Sequence, residues 1–426
     1  MRRSAQFGAA IAISVLCVEH LAAQSLSERV AGASEPRVQF TFAARPGVCG
    51  NGRTFIQVAG NPWYGSWNDA DRHEVCAEGP IRVVLDRAGR DVVSLASYAG
   101  PVPEQTTGVT DLGRVGTRVA SEYLLGLAER ADGRVSRDAL LPAVLADSVD
   151  ATARLLAIAR NQNAARETRR SAISWLARPF DPGERTVKGI ADVLVQIARD
   201  DNDNQSVRQS ALRTLARLEH GAGTTALMEL ARDALHTWMA REALSALTAS
   251  GDPRARQYLR DVVRRADQSD EVLVYAIRGT GGEYATSEDV KLLRDIYAKL
   301  PGERSREETL KAIGTFGGAE NVRWLVALSR DSDQSSATRR RAVQYAYRGG
   351  APIAEVIKLY DEVTDSQIKD AVMGVLVESG ERQATDKLMQ IARNDENTQM
   401  RRRAVSVLSR SSDERVKKFL SELVER

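Results

Sequence analysis

Two stretches decide how this chain folds: Leu194-Val195-Gln196-Ile197-Ala198-Arg199-Asp200-Asp201 and, shortly after it, Val207-Arg208-Gln209-Ser210-Ala211-Leu212-Arg213-Thr214-Leu215. In the first, Leu194 and Ile197 form an apolar pair three residues apart, the spacing of one helix face. In the second, the small residue Ala211 stands about thirteen residues beyond that pair, where a second helix packs back on the first.

Both features recur along the chain. The pair returns as Leu124/Leu127, Leu155/Ile158, Leu227/Leu230, Leu259/Val262, Leu293/Ile296, Leu325/Leu328, Val356/Leu359, Leu388/Ile391 and Leu420/Leu423. Successive spacings are 31, 39, 33, 32, 34, 32, 31, 32 and 32 residues, the long one containing an insertion around Arg178–Gly183. The small-residue column returns as Ala139, Ala172, Ala243, Ala276, Ala342, Ala371 and Ala404, with Thr309 as the odd member. Gly251-Asp252-Pro253, Gly281-Gly282, Gly317-Gly318, Gly349-Gly350, Gly380 and Ser411-Ser412-Asp413 close the units as turns. Neither helix of a unit buries its apolar face alone, so neighbours must stack into an α-solenoid. Leu420/Leu423 has no second helix after it and is expected to cap the stack as a half-repeat.

A period near 32 residues is also close to tetratricopeptide and ankyrin lengths, but the signatures of those families do not recur. The Leu194–Leu215 unit, and Leu388-Met-Gln-Ile-Ala-Arg393 with Met400-Arg-Arg-Arg-Ala-Val-Ser-Val-Leu408, resemble the short HEAT repeats of the PBS-lyase type. The resemblance covers about residues 118–426 and implies an interaction module of nine to ten repeats. Chromophore attachment, known in some relatives, is not expected for an exported chain.

Before the repeats the period is near two. Val38-Gln39-Phe40-Thr41-Phe42, Phe55-Ile56-Gln57-Val58, Ile81–Leu85 and Val92–Leu95 alternate as strands, the last two flanking a hairpin connection at Asp86–Arg90. Residues 36–101 are expected to form a small β-rich domain, 102–117 a linker and 118–426 the solenoid. The fold class is therefore mainly α, with a β-rich domain in front.

The first 24 residues read as a signal peptide: Arg2 and Arg3, an apolar run of 12 residues from Phe7 to Val18, then Leu21-Ala22-Ala23-Gln24. The run is shorter than the roughly 20 residues of a spanning helix. An uncleaved anchor, or lipidation at Cys17, stays as an alternative. The expected product is periplasmic or secreted, with no membrane span after cleavage. Export leaves Cys49 and Cys76, an even pair suited to one disulfide, with buried free thiols as the alternative.

The chain carries 60 Lys+Arg against 57 Asp+Glu, a formal charge of +3, which argues against a general nucleic-acid binder. Four His and three Cys leave few ligands for a metal. No phosphate-binding glycine loop, Gly-x-Ser-x-Gly or His-Glu-x-x-His is present, so no cofactor, metal or catalytic group is expected. His73 beside Asp71 and Glu74 is too common an arrangement to imply acid–base chemistry, and His220 and His236 are expected on the surface or in packing.

Two groups remain as binding candidates. Trp63, Tyr64 and Trp67 lie on a Gly/Asn-rich loop between the cysteines and suit either a ligand platform or an aromatic core. Arg160, Arg199, Arg232, Arg264, Arg330 and Arg393 end first helices, while Arg169, Arg208, Arg241, Arg340 and Arg402 begin or precede second helices. Such rows suit an anionic partner, or pairing with Asp200, Asp201, Asp233, Asp331 and Asp395 between stacked repeats. The triplets Arg339-Arg340-Arg341 and Arg401-Arg402-Arg403 are the places where a functional stripe is most expected. The resulting reading is a non-catalytic scaffold holding a protein partner. The alternatives are a sensor or enzyme centred on the β domain, and an envelope protein binding an anionic polymer.

Overall fold

Val38, Phe40 and Phe42 alternate along β1 (Arg37–Phe42) and are fully buried, which makes this strand the centre of a sheet. The computed structural model describes residues 25–58, 61–65, 75–103, 107–131, 133–177, 184–232 and 237–424. The signal segment, Trp67, Asp71, His73, Glu74, Asp233 and His236 lie outside them. The chain divides into two units, Met1–His220 and Gly221–Arg426.

In the first unit β1 pairs antiparallel with β6 (Ile81–Ala88), and β6 with β7 (Asp91–Ala99). The hairpin turn is only Gly89–Arg90, with Gly89 at φ +65°, so both strands run further than their alternation predicts. On its other edge β1 takes β8 (Val109–Arg114) in parallel, giving the order β7-β6-β1-β8. Residues 109–114 fall in the stretch expected to be linker. Their partner lies some seventy residues away and is held by Gln39, which donates to Asp111 at 2.9 Å. The second sheet has the order β4-β3-β2-β5, from β2 (Val48–Gly50), β3 (Phe55–Val58), β4 (Asn61–Gly65) and β5 (Ala77–Glu78). Cys49 and Cys76 form a disulfide that fastens the two-residue β5 to β2.

Helices follow: α1 (Leu26–Ala31) precedes the sheets, and α2 (Thr117–Arg130), α3 (Gly133–Asp138), α4 (Leu140–Val144), α5 (Thr152–Arg160), α6 (Arg166–Trp175), α7 (Glu184–Arg199) and α8 (Gln205–Leu215) complete the unit. Pro142 has no N–H to give the carbonyl four residues back, and the second helix of the first pair is correspondingly split at Ala139. Phe40 meets Tyr123 of α2 edge-on at 6.1 Å, so the sheet packs on the first helix; burial there pushes the Tyr123 phenol up to about 12.

The second unit holds α9 (Ala222–Ala231), α10 (Thr237–Ala249), α11 (Pro253–Arg265), α12 (Asp270–Thr280), α13 (Ser287–Ile296), α14 (Glu303–Phe316), α15 (Ala319–Arg330), α16 (Ser336–Arg348), α17 (Ile353–Glu362), α18 (Ser366–Ser379), α19 (Arg382–Asn394), α20 (Thr398–Leu408) and α21 (Glu414–Val424). Odd members are first helices and even members second helices of each pair. The small-residue column is buried throughout, Thr309 included. Asn204, Ser269, Ser335, Asp365 and Asn397 cap second helices, each side chain accepting a backbone N–H of the first turn. The apolar pairs are buried from Leu155/Ile158 to Leu388/Ile391. At α21 the buried face is Val416 and Phe419, whereas Leu420 and Leu423 are half-exposed.

Candidate functional site

Within the second unit, second helices approach one another more closely than first helices do. Glycines permit this. A Cβ on Gly279 would lie 2.4 Å from the Thr248 hydroxyl, and one on Gly314 would lie 2.7 Å from the Cβ of Tyr345. The side that packs closer is the inner side of a stack, the surface with which solenoids embrace partners.

Much of the charge on the repeats is used within the protein. Arg169, Arg208 and Arg339 do the same thing in three repeats: each Nε donates at 3.0 Å to a carbonyl near the end of the preceding first helix, at Ala159, Ala198 and Ser329. That satisfies an acceptor left open where the helix stops. Their remaining donors reach carboxylates: Arg169 to Asp203 at 2.7 and 2.5 Å, Arg208 to Asp201 at 2.6 Å and Arg339 to Asp365 at 3.2 Å. Burial disfavours a charge on Asp203, but the Arg169 guanidinium, the Asn204 N–H and the nearby Arg208 outweigh it and hold the carboxyl below its ordinary range.

The arginine triplets divide in the same way. Arg341 pairs with Glu307, Arg403 with Asp370 at 2.8 Å, and Arg401 donates to the carbonyls of Asp395 and Glu396. Arg340 and Arg402 are exposed and have no partner among the described residues. Ends of first helices are paired too: Arg264 with Asp261, Arg330 with Glu362, Arg393 with Glu422, while Arg232 stacks on Tyr258. Arg241 pairs with Glu271. The partners are only partly those the sequence suggested: Asp201 takes Arg208 within its own repeat and Asp395 takes Lys369 from the preceding one, but Asp203 and Asp365 serve as cross-repeat acceptors for Arg169 and Arg339, and Asp331 binds its own turn at Asp333 and Gln334. Trp63 and Tyr64 lie on β4, whose side chains are not among those described.

A different place stands out. A cavity of about 640 Å³ opens where α10, α11 and α12 meet at their turns. Leu247 and Leu259 line its floor, with Tyr275, Tyr284, Arg256 and Thr280 around them. The sequence reading passed over all four. The one available signal was Tyr284 beside the Gly281-Gly282 turn, since no linear pattern shows that three helix ends converge.

A family model described as HEAT repeats matches residues 191–278. The chain carries HEAT repeats. The match lies within the region where the short HEAT pattern was expected, and it does not resolve a subtype. Similar solved structures include human deoxyhypusine hydroxylase in complex with glycerol, with 17% identity over 61% of this chain and 94% of that one, at a TM-score of 0.26. A lipovitellin structure concerned with lipid–protein interactions has 12% identity over 80% of this chain and 40% of that one, at 0.41. A computationally designed armadillo repeat protein for modular peptide recognition has 16% identity over 51% and 97%, at 0.21. No curated protein matches the chain at a significant level. Among the described residues no helix is long and apolar enough to cross a membrane, and no group of three or more His, Cys, Asp or Glu is placed to hold a metal ion.

Proposed function

We propose that this protein is an exported, non-catalytic scaffold whose HEAT array, of the short PBS-lyase type, holds a protein partner on its second-helix face, with the β region adding a second contact. The observation that carries this reading is the close stacking of second helices, with the arginines of the repeats largely paired inside the array. Pairing of that kind builds a rigid surface, and a rigid extended surface suits a folded or extended protein partner.

A photo-crosslinking amino acid placed at Lys311, Gln344 or Ser406, exposed positions on second helices, tests it against Lys291, Arg323 and Lys358, exposed positions on first helices. In cells, one recurring partner is expected from the first set and none from the second. Equal capture from both sets, or from neither, overturns the scaffold reading. Mass spectrometry of the same purified material checks export: the mature N-terminus is expected at Gln24 or Ser25.

A further inference from the structure

The cavity among α10, α11 and α12 combines three features that structural packing alone leaves unexplained. Arg256 is half-buried, yet its guanidinium has no hydrogen-bond or ion-pair partner among the described residues. This sets it apart from Arg278 and Asp252 on the cavity wall. Arg278 gives 3.1 and 3.2 Å hydrogen bonds to Glu308 and lies over the Tyr275 ring at 5.4 Å, and Asp252 is taken by Arg254 at 2.7 Å. Thr280 is only 2% exposed, and its hydroxyl has no hydrogen-bond partner among the described residues. A buried polar atom left unsatisfied is costly, and packing gives no return for it here. Tyr284 is 63% exposed and lines the same cavity as the buried Leu247 and Leu259.

We infer that this cavity binds a carboxylate attached to an aromatic or aliphatic group, and that in the scaffold it takes the C-terminal residue of a peptide chain. The Arg256 fork matches a carboxylate with two parallel N–H donors. The tyrosine rings and leucines hold the side group. A volume of about 640 Å³ falls within the range of ligand sites, roughly 300–1,000 Å³, and exceeds what one side chain fills. Glu283, exposed on the same wall and without a partner among the described residues, adds a negative charge that disfavours a ligand carrying many negative charges. The site therefore favours one terminal carboxylate over a polyanion. This inference deepens the scaffold reading and rests on it.

The test uses the full mature chain and acetyl-Gly-Gly-Phe, with its C-terminus either free or amidated, followed by calorimetry. The free acid is expected to bind at least tenfold tighter than the amide, a comparison that needs no variant to fold. Arg256→Gln should weaken the acid at least tenfold while leaving the amide unchanged, and Tyr284→Ala should weaken both several-fold. A peptide that binds more tightly than N-acetylphenylalanine assigns the cavity to a chain end; equal affinities assign it to a small acid of the same chemistry and overturn only the chain-end source. Equal affinity for acid and amide, an Arg256→Gln protein that binds like the parent, or no binding of either peptide at millimolar concentration overturns the proposal. Crosslinking at Lys311 and Gln344 reports separately on the scaffold reading, since neither residue lines the cavity.

Discussion

The β region and the helical array are held together by different kinds of contact. Strand β1 pairs with β6 some forty-odd residues on and with β8 some seventy residues on, and β5 is attached through a disulfide closing 27 residues. In the array, each helix meets partners in its own repeat or in the next one, through an apolar pair and a small residue that recur along the pattern, with an arginine joining them in three repeats. The first arrangement concentrates its stability in a few distant contacts. The second distributes it, so that a lost contact is felt mainly by its neighbours.

The strongest way to break that contrast is to damage both cores equally. Phe40→Ala in β1 and Leu273→Ala in α12 each remove a fully buried side chain, and each is expected to cost about 2–5 kcal/mol. Hydrogen exchange should then separate the regions. Phe40→Ala is expected to expose amides across all four strands of its sheet, whereas Leu273→Ala should raise exchange chiefly in α10, α12 and α14. Exchange that spreads evenly over the second unit after Leu273→Ala would show that the array is as cooperative as the sheet.

Arg169 tests whether any array position escapes this locality. Arg169 and Asp203 side chains are each 4% exposed, and Arg169→Ala leaves a buried carboxylate without its guanidinium. The expected loss is about 3–5 kcal/mol by urea denaturation, with the weakened amides in α5 to α8. The Asp203→Asn, Arg169→Ala double variant should recover part of it, because the orphaned charge is gone. Reduction of the Cys49–Cys76 disulfide comes next, at about 3.5 kcal/mol from its loop length in the chain-entropy model, and should loosen β2 and β5 before the larger sheet.

How much of this was legible in the residues follows the same division. The array could be read because its information is local and repeated: the apolar pairs, the Ala column and the Gly turns sit at fixed offsets. The caps Asn204, Ser335 and Asn397 emerge only with the structure, although each stands just ahead of its helix. The partner of each arginine could not be read, because choosing Asp203 over Asp200 depends on the register of two stacked repeats. β8 was missed for a related reason. Val109-Thr110-Asp111-Leu112-Gly113-Arg114 has a glycine at φ +70° and little alternation, and becomes a strand only because β1 offers it an edge. The cavity is the least legible feature, since Arg256, Thr280 and Tyr284 come from different helices and a turn.

Asp252 adds a pH axis to the comparison within the array. It caps α11 by accepting the Arg254 N–H, and the Arg254 guanidinium with that N–H holds its carboxyl down at about 2, against burial that works the other way. A carboxyl whose folded pKa is lower than its unfolded value of about 3.9 stabilises the fold above that value and loses the contribution as pH falls toward 2. Asp252→Ala should therefore cost about 0.5–2 kcal/mol at neutral pH and progressively less below pH 4. A difference between parent and variant that stays constant from pH 7 to pH 2.5 would remove the carboxylate from the account.

The smallest expected effect carries the most information about the arginine rows. Arg339 and Arg340 are adjacent, as are Arg401 and Arg402, yet the first of each pair bonds the backbone and the second points away from any partner among the described residues. Composition cannot distinguish them; their place on the helix does. Arg340→Ala and Arg402→Ala should each change stability by less than about 0.5 kcal/mol, as exposed substitutions do, whereas Arg339→Ala should exceed that limit because it uncovers the Ser329 carbonyl and Asp365. The same two exposed variants then interrogate the anionic-polymer alternative. If an acidic polymer binds the parent protein through these rows, losing Arg340 and Arg402 together should lower the dependence of binding on salt without touching the fold. Binding that keeps its full salt dependence in the double variant would leave the unpaired arginines with no part in it, and would return the basic rows entirely to the task of joining one repeat to the next.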